Sequence, residues 1–414
     1  MKNQQNIELT KIRQIFKNNK INDLEKNIIN ELEKIDKSKL NNKRLAIAVG
    51  SRGINNLSRI TRIVTDFLKQ NGAKPFIFPA MGSHGGATDE GQKKVLHTLG
   101  IDEKTMNCPV ISSMETIKTG ETSKNVPLYM DKNAYHSDGI ILINRIKPHT
   151  NFFGKYESGL LKMAVIGVGK QSQALDIHKH KTPGLKNHLP EAGKKILKNG
   201  KFLGGLALVE DAYDQTMITQ WLNASEIIEK EPELLKTAYQ NMPCLPCQHI
   251  RILIVDEMGK DISGVGMDTN IIGRIRIADH PEPDNPIIEQ IIVNNLTDKT
   301  KGNATGVGLA DMITKKLFQR INFETTYKNI YTSGNFERAK IPVIAKNMQE
   351  ALSFASRGCF IPSDKLTGFV RIKNTLRLDE AYISKDLQDQ CLCQYDIISD
   401  NHKLLNGDGE LNVF

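Results

Sequence analysis

The amino-acid sequence predicts an α/β protein of two domains. Short apolar runs at residues 44–49, 76–79 and 139–144 alternate with stretches of helical periodicity, the pattern of strands covered by helices. The 414-residue length allows two separate cores, and a break at Pro243 and Pro246 precedes a new strand at 250–255. The expected architecture is a Rossmann-like, mostly parallel sheet with flanking helices over residues 1–245. A smaller α/β domain over 246–414 closes over it, with the active site in the cleft between them.

Residues 9–35 carry Ile12, Ile15, Phe16, Leu24, Ile28, Ile29, Leu32 and Ile35 at mostly helical spacing, which predicts one or two amphipathic helices. The run 44–49 ends at Gly50, as a buried strand does. Helical period returns over 58–70, with Ser58 as the N-cap and Gly72 as the stop. A strand at 76–79, a helix at 90–99 and a strand at 139–144 continue the alternation. A helix beginning near Gln171 ends at His178 and His180, and 207–209 is a further strand before a long helical stretch. Beyond the break, 309–321 and 347–354 read as helices among short strands.

Lysine and arginine number 56 against 47 acidic residues, a net charge of +9 spread along the chain. No arginine-rich block with interleaved aromatics occurs, which argues against nucleic acid as a partner. A solvated lysine-rich surface accounts for the charge, and an anionic substrate is compatible with it. No apolar run approaches the roughly 20 residues that cross a bilayer. The N-terminal residues lack the apolar stretch of a signal peptide, so a cytoplasmic protein with no membrane partner is expected. Cys244 and Cys247 with Cys391 and Cys393 could supply four thiolates to a structural zinc. The second pair is Cys-x-Cys and not a repeated Cys-x-x-Cys knuckle, so reduced, unpaired thiols are expected instead.

In such sheets ligands gather at loops leaving the carboxyl ends of the strands. Three loops of that kind carry chemistry. Arg52, in Ser51-Arg52-Gly53, suits a bidentate grip on a carboxylate, or a surface ion pair. His84, in Gly-Ser-His-Gly-Gly, is left uncrowded by its glycines and suits proton transfer, or a structural turn. His149 follows Pro148 at a strand end and, across a cleft from His84, would be the second base of a two-sided proton transfer. Lys162 lies within the apolar run 159–166, where a lysine needs a partner or a task. His178 and His180, at spacing i, i+2, face different sides of their helix, so one of them reaches the site. In the second half, Lys260, Asp268, Asn270, Arg274 and Arg276 crowd a glycine-rich turn region. They could close over a substrate or make an interdomain polar contact.

Taken in order, Ser51-Arg52-Gly53, Gly-Ser-His84, Ile-Lys-Pro-His149 and Ser-Gly-Leu-Leu-Lys162, followed sixteen residues later by His178, resemble the nickel-dependent lactate racemase family. The resemblance covers most of the chain. It implies a nickel-pincer nucleotide cofactor, pyridinium-3,5-bisthiocarboxylic acid mononucleotide, tethered to Lys162 with His178 as the protein ligand of nickel. It likewise implies His84 and His149 as the paired acid/base residues and Arg52 as the substrate holder. Arg276 occupies the nearest position to the family's substrate-binding residues from the C-terminal domain. The implied activity is racemisation or epimerisation of a 2-hydroxy acid, lactate-like or a sugar acid, and the implied partners include the enzymes that build the cofactor. Two other readings stand beside it: a zinc- or other divalent-metal-dependent lyase or hydrolase using the same histidines, and a non-catalytic binding protein on the same fold.

Overall fold

The structure, a computed structural model, describes residues 7–51, 53–180, 183–278, 280–360 and 367–414. The chain forms two compact units, Lys17–Met242 and Pro243–Phe414, the latter joined by the segment ending at Phe16.

The Lys17–Met242 unit is built on a five-stranded sheet in the spatial order Lys74–Pro79, Arg44–Val49, Gly139–Arg145, Phe202–Glu210, Thr216–Asn223. The first four strands run parallel and the last antiparallel. Strand pleating divides the apolar run 44–49 between two layers. Leu45, Ile47 and Val49 pack with Ile28, Ile60, Val64 and Leu68 on one face. Ala46 and Ala48 pack with Leu160, Val165 and Ile177 on the other. Covered on both sides, these strands read as unbroken apolar runs, which is why the sequence exposed them. Burying each such leucine or isoleucine contributes about 1.5–3 kcal/mol. The unit's two ends are tied together, Asn19 Nδ2 donating to Asn241 Oδ1 at 3.2 Å.

The second unit carries an eight-stranded mixed sheet, in the order Val343–Ala345, Met312–Thr314, Ile287–Leu296, His249–Met258, Phe369–Asn374, Arg377–Ile383, Glu8–Ile15, Gln394–Lys403. The first five are mutually parallel. The remaining three add antiparallel.

Several expectations are corrected. Residues 9–35 are not helical throughout: Glu8–Ile15 is a strand and only Leu24–Leu32 is an α-helix. Leu9 and Ile12 satisfy a helical pattern, but their burial comes from partners more than 360 residues away. This strand therefore belongs to the second unit's sheet, although its position falls within the 1–245 block drawn from the sequence. The helix expected from Ser58 starts at Leu57 behind Asn56, and the Ser58 hydroxyl instead donates to the Gly100 carbonyl at 2.8 Å. Residues 309–321 divide into the strand Met312–Thr314 and the short helix Lys315–Gln319. Thr314 turns one into the other by capping Leu317 N at 3.2 Å.

Candidate functional site

The carboxyl ends of Arg44–Val49, Lys74–Pro79 and Gly139–Arg145 release three loops at one edge of the sheet. The turn after Pro79 is shaped by glycines at positive φ, Gly82 at 61° and Gly85 at 65°, which an L side chain would strain. Its backbone lies against the helical segment that follows Lys162. Gly82 N donates to Gly167 O at 3.3 Å, and a Cβ on Gly82 would stand 3.2 Å from Ile166 Cγ2. His84 is exposed, and its Nδ1 meets the Ser51 hydroxyl, joining the first two loops.

The third loop is ordered by a carboxylate that the sequence did not single out. Glu157 is 2 % exposed; its Oε2 accepts from His149 N at 2.6 Å and its Oε1 from Gly154 N at 3.1 Å. The Tyr239 hydroxyl donates to both oxygens, at 3.0 and 3.1 Å. Burial pushes the Glu157 carboxyl above its ordinary pKa, against those donors and the nearby Lys162 ammonium. His149 is half-buried; its Nδ1 accepts from Asn151 N at 3.0 Å, which in the neutral ring leaves the proton on Nε2. Its ring lies 4.7 Å from that of Phe152, and the Lys162 Nζ stands 5.9 Å from the same Phe152 ring.

Lys162 ends the short helix Leu160–Lys162, whose first amides are held by the buried carboxylate of Glu231: Leu161 N donates to Oε2 at 2.9 Å. A π-helical turn over Met163–Gly167 and the helix Lys170–His178 then carry the chain to His178. His178 keeps an exposed edge, yet its pKa lies below the ordinary value, first through burial and then through the Lys162 charge. A helix C-terminus favours a cationic imidazole by about 0.3–1 kcal/mol, so burial and Lys162 outweigh the dipole here. That direction favours the neutral imidazole, the form that ligates a metal. His180 turns instead to His188, with ring centroids 4.5 Å apart.

The structure thus gathers His149, Phe152, Glu157, Lys162 and His178 around one neighbourhood, with the His84 turn packed on the intervening helical segment. Lys162 is only half-buried; among the described residues, the lysine wholly removed from water is Lys170. Lys170 Nζ donates to Pro79 O at 2.5 Å and Gln92 Oε1 at 3.0 Å, and pairs with Asp131 at 3.3 Å. Burial dominates both partners, lowering the Lys170 pKa and raising that of Asp131. Gln92 Nε2 in turn donates to Gly82 O at 2.8 Å and His84 O at 3.2 Å, so this buried pair anchors the histidine turn.

Arg52 lies outside the described residues. Arg276 is engaged within the second unit: it pairs with Asp311 at 3.0 Å, beside Arg274 at 2.7 Å, and donates to the Gly308 carbonyl. Asp268 caps the helix Thr269–Ile272. A depression of about 450 Å³ on the Lys17–Met242 unit, lined by Gly154, Lys155, Pro232, Leu235, Lys236, Tyr239 and Gln240, touches the Glu157 loop but none of His84, His149, Lys162 or His178. It is therefore not the place where those side chains could act on one ligand. Among the described residues, no three His, Cys, Asp or Glu side chains are grouped to hold a metal ion. That geometry disfavours direct ligation of zinc by His84, His149 and His178. A metal held by one imidazole and a cofactor's own donors needs no such group.

Residues 3–188 match the family model described as the lactate racemase N-terminal domain. Among solved structures, the chain is similar to the lactate racemase apoprotein from Thermoanaerobacterium thermosaccharolyticum. The TM-score is 0.54 at 13 % identity, over 89 % of this chain and 99 % of that one, which establishes a shared fold. No curated protein matches. Among the described residues, no helix is long and apolar enough to cross a membrane.

Proposed function

We propose that the chain is a racemase or epimerase of a 2-hydroxy acid, reading the match of residues 3–188 to the lactate racemase N-terminal domain as kinship with that family. The observation that carries this reading is that Lys162, 5.9 Å from the Phe152 ring that His149 also packs against, acts on the imidazole of His178 at the end of the following helix, both lowering its pKa and marking the two as neighbours. A primary amine fit for a covalent tether beside a neutral ring fit for nickel is what a lysine-anchored nickel-pincer nucleotide requires. When bound, that group supplies an acceptor for the substrate's α-hydrogen and its electron pair.

The chain's own residues handle position and protons. His84 and His149 would stand on the two sides of the substrate, one taking the hydroxyl proton and the other returning a proton after the opposite face is used. With Nδ1 accepting from the Asn151 amide, the neutral His149 ring presents Nε2–H to hydrogen-bond the substrate oxygen, and proton transfer through this ring requires the Asn151 contact to open. Either role is open to His84, whose Nδ1 faces a hydroxyl that can donate or accept. Arg52 would hold the carboxylate.

The test is intact-protein and peptide mass spectrometry with metal analysis on material from the native host, alongside substrate deuterated at the α-carbon. Nickel together with added mass on the Lys162 peptide, and deuterium retained through interconversion, support the proposal. Zinc on an unmodified peptide, or extensive exchange of the α-hydrogen with solvent, would overturn it in favour of metal-dependent lyase or carbanion chemistry.

A further inference from the structure

Four of the six cysteines lie in two segments far apart in sequence, away from the candidate site, and the fold of the second unit laces those segments together. Leu392 N donates to Pro246 O at 2.8 Å, which sets Cys-Leu-Pro-Cys against Cys-Leu-Cys. Cys247 Sγ and Cys391 Sγ both lie against one carbonyl, Leu387 O, at 3.6 and 3.7 Å. The two thiols lie close enough to influence each other's ionisation directly. Cys393 is directed elsewhere, donating to Gln14 Oε1 at 3.2 Å, while Gln14 Nε2 donates to the Cys244 carbonyl at 3.1 Å. Four thiols are neighbours, but only two share a partner and each other.

We propose that Cys247 and Cys391 form a reversible dithiol/disulfide pair that reacts with hydrogen peroxide or a similar small hydroperoxide. Cys391 is half-exposed and Cys247 is 1 % exposed, so Cys391 meets the oxidant. The neighbouring Cys247 thiol holds the Cys391 thiol below its ordinary pKa, which favours the nucleophilic thiolate. Asp389 beside it and Asp386 beside Cys247 oppose ionisation, and neither reverses that direction at Cys391.

The chemistry runs in two balanced steps. The Cys391 thiolate attacks one peroxide oxygen; the S–O bond forms, the O–O bond breaks, and hydroxide leaves, with sulfur oxidised by two electrons and peroxide reduced. Cys247 sulfur then attacks Cys391 sulfur; the S–S bond forms, the S–O bond breaks, and the departing oxygen takes the Cys247 proton as water. A dithiol reductant restores both thiols. The product would tie the approach to the strand His249–Met258 to the turn before Gln394–Lys403.

The experiment uses the full chain, reduced and freed of reductant, then treated with one equivalent of hydrogen peroxide and alkylated. The expected result is a fall from six alkylatable cysteines to four, a peptide linking Cys247 to Cys391, and reversal by dithiothreitol. In Cys247→Ser, Cys391 should stop as a sulfenic acid that dimedone traps; in Cys391→Ser, no linkage should form at that dose. The wild-type peptide map stands even where a variant fails to fold. Linkage of Cys244 to Cys393 instead, oxidation of these sulfurs with no linkage, or one tightly bound zinc per chain that shields all four thiols would each overturn the proposal.

Discussion

At the residue scale, Glu231 shows how a buried group links the site to pH. Its carboxyl is wholly enclosed and pushed up to about 7 from an ordinary 4.5, with the Leu160 and Leu161 amides opposing that rise. A raised carboxyl means the folded chain keeps a proton that the unfolded chain loses between about pH 4.5 and 7. Stability therefore falls as pH climbs through that window and levels off above it. Glu231→Gln should remove the dependence, so that the variant gains on wild type by up to roughly 3 kcal/mol from pH 4.5 to 7.5. Urea unfolding at the two pH values measures the gap; an unchanged gap would mean the carboxyl ionises normally. Glu157 makes a different prediction. Glu157→Ala would strand the His149 and Gly154 amides and cost about 1–3 kcal/mol per amide left buried and unpaired. Rescue by Glu157→Gln should be partial, since an amide has one oxygen where three donors converge.

His84, His149, Lys162 and His178 were legible because their motifs are local: a glycine turn, a proline-linked histidine, a lysine in an apolar run. Glu157, Glu231 and Lys170 were not, because nothing near them in sequence announces a buried charge. Lys170 is held by Asp131 and Gln92, each supplied by a different element. The sequence saw an embedded lysine but assigned the burial to Lys162, since an apolar neighbourhood in the chain is a poor guide to enclosure in space.

At the element scale, the His84 turn is fixed from beneath and from its own backbone. Gly85 sits at φ 65°, and a Cβ there would come within 2.6 Å of the Gly91 carbonyl carbon, a contact no side-chain movement relieves. Gly85→Ala should cost roughly 1–3 kcal/mol of strain and displace the turn. On the proposed mechanism, interconversion falls while cofactor remains on Lys162, which activity and intact mass together would reveal. Lys170→Met acts on the same turn from below. It leaves Asp131 buried without its cation, a loss of about 3–5 kcal/mol in comparable pairs, and thermal unfolding should register it. The covered strands and long helices were readable from periodicity. The strand Glu8–Ile15 was not: Leu9, Ile12 and Ile15, three apart, fit a helical period, and only its distant partners make it a strand.

At the scale of the whole molecule, the two units have separate cores, and the sole tryptophan, Trp221, lies 3 % exposed in the Lys17–Met242 unit. Deleting residues 1–16 removes Leu9 and Ile12 from the second sheet, a loss of roughly 3–6 kcal/mol at about 1.5–3 per side chain. Tryptophan fluorescence should then report an unshifted denaturant midpoint while circular dichroism gains an earlier transition. A fluorescence midpoint that moves with the deletion would show that the units unfold as one.

The hydrogen bond between Asn19 and Asn241 gives the Lys17–Met242 unit neighbouring termini. A protein segment that starts where it stops behaves as a cassette: it can be excised, transplanted between host chains, or rejoined end to end and reopened elsewhere, with its internal wiring left intact. Chimeras that exchange this cassette are accordingly a practical route to learning which half of the polypeptide chooses the substrate.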